Sequence, residues 1–362
     1  MARSAGRYHE HLNDILAPMR IHPLSVIVLL VALSGGAAGS LAAAAGGEFT
    51  MRAALVSAGK IQIGDVARPV AGPGQVLVEI RYAGVNPGDW KAAGGSAEAP
   101  TEPGVAAAVN VPVIPGVDGA GVIAAVGQGV TGYRIGDAVI VWSQARGTYA
   151  QYVAVPAATI TLKPARLSFA EAAGVAHASL AAWNLLIDQA RLRSGQTLLV
   201  LGGAGGVGSA AVQIATNRGA HVIATASARN ADYLKALGAS TVIDYSAQHF
   251  EDQLRNIDIA LDTVDVDNAY RALAVVRRGG YLVSSVGLPL AAQCAAREVV
   301  CAGRTPAGRP IRLVLKQIAD WSQAGIFRVN IDQTFDFSEV LKAWQYSLAG
   351  HTRGKSVIRI ND

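Results

Sequence analysis

Residues 197–215 read TLLVLGGAGGVGSAAVQIA, and this stretch decides the fold. Its first five residues, TLLVL, are an apolar run of strand length bounded by glycine, the mark of a buried strand. Gly203, Ala204, Gly205, Gly206, Val207 and Gly208 follow, and the apolar spacing then turns helical. A G-x-G-x-x-G between a strand and a helix is a dinucleotide-binding turn, whereas the same letters elsewhere carry little weight. Each glycine has its reason: Gly203 permits the tight turn, Gly205 lets the backbone approach a pyrophosphate, and Gly208 lets the helix pack close to the strand. Amide N–H groups at the helix start face the anion. The bland alternative is a glycine-rich turn with no ligand.

On the C-terminal side the pattern keeps alternating. Strands are expected at 221–226, 241–243, 257–261 and 281–285, and helices at 207–218 and 231–237. Such alternation implies a parallel, doubly wound sheet with helices on both faces. An NAD-binding chain usually carries Asp or Glu about 20 residues past the glycines, to hold the ribose hydroxyls. Here that place reads Thr225, Ala226, Ser227, Ala228, Arg229 and Asn230, with no acid. Ser227 can hydrogen-bond an extra phosphate and Arg229 can pair with it, so NADP(H) is favoured. An ordinary surface charge is the alternative for Arg229. A periodic helix is expected around 311–321 and a closing strand at 356–360.

On the N-terminal side lie shorter elements. Residues 75–82, QVLVEIRY, place Val76, Val78, Ile80 and Tyr82 on one face of a period-two strand. Strands are also expected at 119–126, 137–142 and 149–155, punctuated by Gly116, Gly127, Gly129, Gly132, Gly136, Gly147 and Pro156. Many short strands so separated suggest an irregular β domain. Tyr149 and Tyr152 read as sharing a strand face, and residues 170–190 as alanine-rich helix.

Residues 21–47 contain no Asp, Glu, Lys or Arg, and 24–33 read LSVIVLLVAL, after Arg3, Arg7 and Arg20. A basic flank, a short apolar run and a small-residue stretch make a signal-like leader. The strongly apolar run is short for a membrane span, and the alanine–glycine tail lengthens it toward a weak anchor. A third reading starts the folded chain at Met51. A cytoplasmic location fits a nicotinamide reductant best, with export or anchoring through residues 24–45 as the alternative. At 362 residues, 51% hydrophobic, the chain has room for more than one core. The net charge of +5 is scattered rather than clustered, which argues against nucleic-acid binding. Cys294 and Cys301 match no common zinc spacing and read as two incidental thiols.

The glycine turn with ATASARN and LGASTVIDY behind it, AGVNPGDW at 83–90, IPGVDGAGVIAAVG at 114–127, YRIGDAV at 133–139 and the closing RGKSVIRI together resemble one family. It is the zinc-free, quinone oxidoreductase-like branch of the medium-chain dehydrogenase/reductase superfamily. The resemblance covers nearly all of 51–362. It implies a GroES-like β domain over 51–175, a Rossmann domain over 176–308, and a return of 309–362 to the first domain, with residues 1–50 as the leader. It also implies roles. Asn86 matches a residue near the nicotinamide ribose. Ser227, Arg229 and Tyr245 match the hold on the 2′-phosphate. Val286 and Gly287 match the segment beside the nicotinamide, and Lys355 matches a residue reaching toward the cofactor's phosphates. Three departures stand out: Asn230 for a common Lys, which shifts the clamp onto Arg229; Ala181 for a frequent Thr; and His177 for a small apolar residue. The tail between Tyr245 and Gly354 is also short for the family, and the resemblance leaves a homodimer open.

Zinc-dependent members of the superfamily carry a Cys near 84–85, a Gly-His-Glu near 116–118 and a four-Cys lobe. This chain has Gly84-Val85, Gly116-Val117-Asp118 and no cysteine before 294. Without those donors no zinc site is expected. A substrate that spreads incoming charge through its own conjugation then suits the cleft better than a simple alcohol. Quinones and α,β-unsaturated carbonyls do so, reduced by hydride from NADPH, with alkenal or enoyl C=C reduction as the second reading. An NADPH-binding structural or regulatory protein with little turnover is the third. Asn86 is the candidate to orient ribose or substrate oxygen. Lys91 is a candidate to stabilise developing negative charge if it points into the cleft; a surface lysine is its alternative. Asp89 reads as a loop brace, and His177 as a packed or capping histidine.

Overall fold

The computed structural model describes residues 49–57, 60–92, 113–305 and 308–361, with side chains described at all of these except 91 and 92. The leader read at 24–45 lies outside the described residues. Among them, no helix is long and apolar enough to cross a membrane.

A hairpin, β1 (Thr50–Ser57) and β2 (Lys60–Ala67), opens the described chain. Then follow β3 (Gln75–Gly84), α1 (Pro87–Ala92), β4 (Asp118–Val126), β5 (Ala138–Trp142), β6 (Tyr152–Pro156) and β7 (Ile160–Leu162). Strand β3 buries Val76, Val78 and Ile80, as its alternation requires, and Leu77 as well. The chain enters α2 (Phe169–Ala173) through a capping box: Glu171 N–H donates to Ser168 Oγ at 3.2 Å, and Ser168 N–H to Glu171 Oε2 at 2.8 Å. The expected helix over 170–190 is interrupted after Ala173; α3 (Ala176–Trp183) follows and runs on into a π-helical segment, Asn184–Gln189.

The alternating region forms β8 (Thr197–Leu201), α4 (Gly206–Asn217), β9 (His221–Ala226), α5 (Ala231–Ala236), β10 (Thr241–Asp244), α6 (Phe250–Gln253), β11 (Ile257–Asp262), α7 (Val266–Leu273), β12 (Val276–Ser284), α8 (Ala291–Ala296) and β13 (Val300–Gly303). Its six strands are parallel, in the order β10-β9-β8-β11-β12-β13. This is the Rossmann order, in which ligands bind beyond the carboxyl ends of the strands at the reversal, here between β8 and β11. The fold class is the one expected.

The tail makes α9 (Ile311–Gln323), β14 (Ile331–Asp336), α10 (Val340–Leu348) and β15 (Lys355–Arg359). Strand β15 lies between β14 and β3, pairing 357–359 with 82–84, and so completes the mainly antiparallel sheet β14-β15-β3-β4-β5-β7, with β6 also on β3. Because neighbouring side chains of a strand face opposite ways, Val357 packs into the core around the parallel sheet and Ile358 into the core of the other sheet.

Two sequence readings are corrected. Cys294 on α8 and Cys301 on β13 are not incidental thiols; the turn between them folds back and joins them in a disulfide, Cα–Cα 6.1 Å. Tyr149 and Tyr152 do not share a face. Strand β6 begins at Tyr152, and a separation of three residues in extended chain points side chains oppositely. Tyr149 is fully buried, while Tyr152 lies under the Arg68 guanidinium, 3.8 Å from its ring centre.

Candidate active site

Strand β8 delivers the chain into the turn with Gly202 at φ +75°, a left-handed conformation that glycine adopts without strain. A Cβ on Gly203 would stand 2.9 Å from Ala224 Cβ, and one on Gly208 would stand 2.2 Å from Gly202 O. Those two glycines are demanded by packing within the protein. Gly205 is different: a Cβ there would meet only Gly202 O, at 3.6 Å, an ordinary contact. Space beside Gly205 therefore opens into the cleft, and no side chain caps the N–H groups at the start of α4. Uncapped amides at a helix N-terminus with backbone access suit a diphosphate.

A cavity of about 480 Å³ opens there. It brings together Asn86, His177, Gly205, Gly206, Val207, Val286 and Lys355 from the residues singled out in the sequence, His177 having been read there as a packed or capping residue, and adds Thr263, Ser285 and Arg304. Gly203, Ala204 and Gly208 shape the turn without lining the cavity. Val286 and Gly287 follow β12, where both their N–H groups donate to Ser284 Oγ at 3.2 Å. Ser284 in turn donates to Asp262 Oδ2 at 2.9 Å, and burial pushes the Asp262 carboxyl up to about 6. Lys91 sits in the last turn of α1, and its side chain lies outside the described residues.

Ser227, Arg229 and Tyr245 sit away from that cavity, at the carboxyl ends of β9 and β10, with Tyr245 N–H donating to Ala226 O at 3.2 Å. Arg229 donates to His351 O at 3.3 Å. Sequence reasoning missed a partner here. Arg353, just before β15, donates to Asn230 Oδ1 at 2.7 Å and to Arg229 O at 2.9 Å. Asn230 also donates to Ser227 Oγ at 3.1 Å. A second guanidinium thus stands beside Arg229 where the family pattern has Lys at 230. The signal lay in RGKSVIRI itself, but nothing in its spacing says that a residue 123 positions on returns to Asn230.

The centre of the cleft is a buried polar node. Asp118, at the start of β4, is fully buried. It accepts from His177 N–H at 2.5 Å through Oδ1, and through Oδ2 from Asn86 Nδ2 at 3.1 Å and Lys355 Nζ at 3.4 Å. Lys355 Nζ also donates to Val85 O at 2.9 Å and to Asn86 Oδ1. An ammonium has three N–H donors, and these partners take all three. The expectation that Lys355 reaches phosphate is therefore corrected: its stem lies over Gly206, but its head turns into the node. Asp89 braces α1 as expected, accepting from Asn86 N–H at 2.8 Å and Tyr149 Oη at 3.0 Å. Burial raises its carboxyl to about 7, with Asp118 adding to the rise and the Asn86 N–H and Lys355 opposing it.

A zinc ion does not fit these donors. Gly84 and Val85 offer no ligating side chain, Asp118 already faces an ammonium, and among the described residues no group of three or more His, Cys, Asp or Glu is placed to hold a metal.

Residues 237–358 match the family described as Zinc-binding dehydrogenase, and residues 72–165 match the Alcohol dehydrogenase GroES-like domain. The 2-methylene-furan-3-one reductase of Solanum lycopersicum is 35% identical over 313 residues, covering 81% of this chain and 74% of that protein. The chloroplastic NADPH-dependent alkenal/one oxidoreductase of Arabidopsis thaliana is 31% identical over 296 residues, covering 78% and 72%. The solved quinone oxidoreductase of Coxiella burnetii superposes with a TM-score of 0.77 at 28% identity, over 86% of this chain and 100% of that one.

Proposed function

The chain belongs to the medium-chain dehydrogenase/reductase superfamily, in its quinone oxidoreductase-like branch, and from that premise we propose that it is an NADPH-dependent reductase of conjugated carbonyl compounds. The observation that carries this reading is the open space at Gly205 beside the uncapped amides of α4, together with the guanidiniums of Arg229 and Arg353 past the end of β9, an arrangement that would suit a dinucleotide with an extra phosphate.

When bound, NADPH supplies the hydride. The protein's part is to position, exclude water and hold charge. Gly205, Gly206 and Val207 give the diphosphate its amide cradle. Ser227, Arg229, Tyr245 and Arg353 hold the 2′-phosphate. Val286, Gly287 and Asn86 confine the nicotinamide end, and Lys355 and Asp118 keep the Asn86 amide in place. No residue of this set is a Lewis acid, so the acceptor must delocalise its own charge, as enones, enals and quinones do. Carbon–carbon double-bond reduction is favoured over quinone reduction by the names of two relatives among those the chain matches, a 2-methylene-furan-3-one reductase and an alkenal/one oxidoreductase. A cytoplasmic location suits the reductant.

The test is NADPH oxidation, followed by absorbance, against a panel of enals and enones and a panel of quinones. Turnover of the enone panel is expected. Tight NADPH binding with turnover on neither panel would instead mark a binding protein.

A further inference from the structure

His177 faces the same cleft, and neither the cofactor cradle nor the Asp118 node uses its ring. It stands on α3, lines the cavity, and has its backbone fixed by the 2.5 Å hydrogen bond to Asp118. Arg304, in the segment after β13, brings Nη1 to 3.3 Å from His177 Nε2. A guanidinium has donors only. The nitrogen facing it is therefore the lone-pair nitrogen, and the proton of the neutral ring sits on Nδ1. Burial drives the imidazolium down to about 4; Asp118 opposes that shift, and the charges of Lys355 and Arg304 reinforce it. The ring is neutral across the working pH range.

We propose that His177, held as its Nδ1–H tautomer by Arg304, is a catalytic residue that donates a hydrogen bond to the acceptor's carbonyl oxygen while negative charge builds there. Arg304 is the positioning residue. The inference rests on the conjugated-carbonyl reading and names the group that answers for the missing Lewis acid. Hydride arriving at the β-carbon forms the new C–H bond. The C=C electron pair moves to the Cα–C bond, and the carbonyl pair moves onto oxygen, giving an enolate. Nδ1–H stabilises that oxygen without giving up its proton, and the α-carbon then takes a proton from solvent. A neutral imidazole suits this task, because it polarises a carbonyl while keeping its proton. Lys355 is not available for it, having spent its N–H groups on Val85, Asn86 and Asp118.

The experiment compares wild type, His177→Ala, His177→Gln and Arg304→Gln with one enone. NADPH dissociation constants come from fluorescence titration. For His177→Ala, kcat/KM should fall about 100-fold, the usual loss for one oxyanion donor, chiefly through kcat and with NADPH affinity unchanged. His177→Gln keeps an N–H and should recover part of the loss. Arg304→Gln should leave NADPH affinity alone and lower kcat by less than His177→Ala does, because the ring keeps its donor but no longer has its tautomer and orientation fixed from Nε2. A His177→Ala variant that reduces the enone at the wild-type rate overturns the proposal and leaves the reductase reading standing. So does a loss of rate that tracks a loss of NADPH binding, since that is a structural effect. Wild-type protein inert toward every acceptor overturns both.

Discussion

Arg353 is a charge displaced in sequence and kept in space. The family pattern puts Lys where this chain has Asn230, and Asn230 spends its Oδ1 on Arg353 Nε at 2.7 Å. If the pair Arg229 and Arg353 holds the 2′-phosphate, Arg353→Gln should weaken NADPH binding about 10- to 100-fold, the worth of a charge-assisted hydrogen bond, and leave NADH binding unchanged. Titrating both nucleotides by fluorescence separates this from general damage, which would weaken both alike. Asp89 carries a different consequence. Its carboxyl titrates near 7 in the folded chain against 3.8 as its ordinary value, so between those limits the folded state holds the extra proton. Stability from this group is full at low pH and is lost as pH rises through 7, by as much as a few kcal/mol for a fully buried acid. His177, pushed down to about 4, works oppositely below about 6. Asp89→Asn isolates the first effect: urea unfolding at pH 5 and pH 8 should show the wild type losing ground to the variant at the higher pH, and parallel curves would refute it. What was legible here was local. Asn86, Ser227 and Arg229 announce themselves by motif position, whereas Asp118, Arg304 and Arg353 act through contacts that no short-range spacing encodes.

The glycine turn separates two kinds of necessity at the scale of one element. Gly208 stands against Gly202 O, so Gly208→Ala forces α4 away from β8 and should cost roughly 1–3 kcal/mol. Gly205→Ala meets nothing nearer than 3.6 Å within the protein and should fold with wild-type stability. Its methyl group would project where the diphosphate approaches, so NADPH affinity should fall at least 10-fold, as expected for loss of close backbone access. Thermal denaturation with and without NADPH checks both: Gly208→Ala lowers the unliganded midpoint, Gly205→Ala only the ligand-induced rise. An unliganded Gly205→Ala midpoint as low as that of Gly208→Ala would show that the two glycines do the same work. Elements with a clear period were legible: β8, α4, β9 and β3 lie where their apolar spacing puts them. Strands β1, β2 and β14 were not. KIQIGDVA and IDQTFD mix polar and apolar residues because a two-stranded hairpin and an edge strand leave much of each strand partly exposed. The disulfide escaped for a related reason, since only the fold-back from α8 to β13 brings its sulfurs together.

Across the whole molecule, the Asp118–Lys355–Asn86 node ties β4, α1 and the N-terminal end of α3 to the last strand of the chain. Lys355 also stands where Gly354 N–H bonds Ala204 O at 2.8 Å, so the same few residues connect the glycine turn to the sheet of β3 and β15. Burying such a pair is costly, and its value shows when one partner goes. Lys355→Met should destabilise by about 3–5 kcal/mol, because it leaves the Asp118 carboxylate buried and unneutralised. The double variant Asp118→Asn/Lys355→Met should regain most of that loss. Asn at 118 still accepts from His177 N–H, and the Asn86 amide, released by the lysine, can turn to accept from the new amide. Urea unfolding of the two singles and the double gives the coupling energy directly. Additive losses would mean that the ammonium and carboxylate act independently. A recovered double that still binds NADPH but has lost enone turnover would show what the charged pair is kept for: the placement of Asn86 and His177 along the cleft, rather than the stability of the fold.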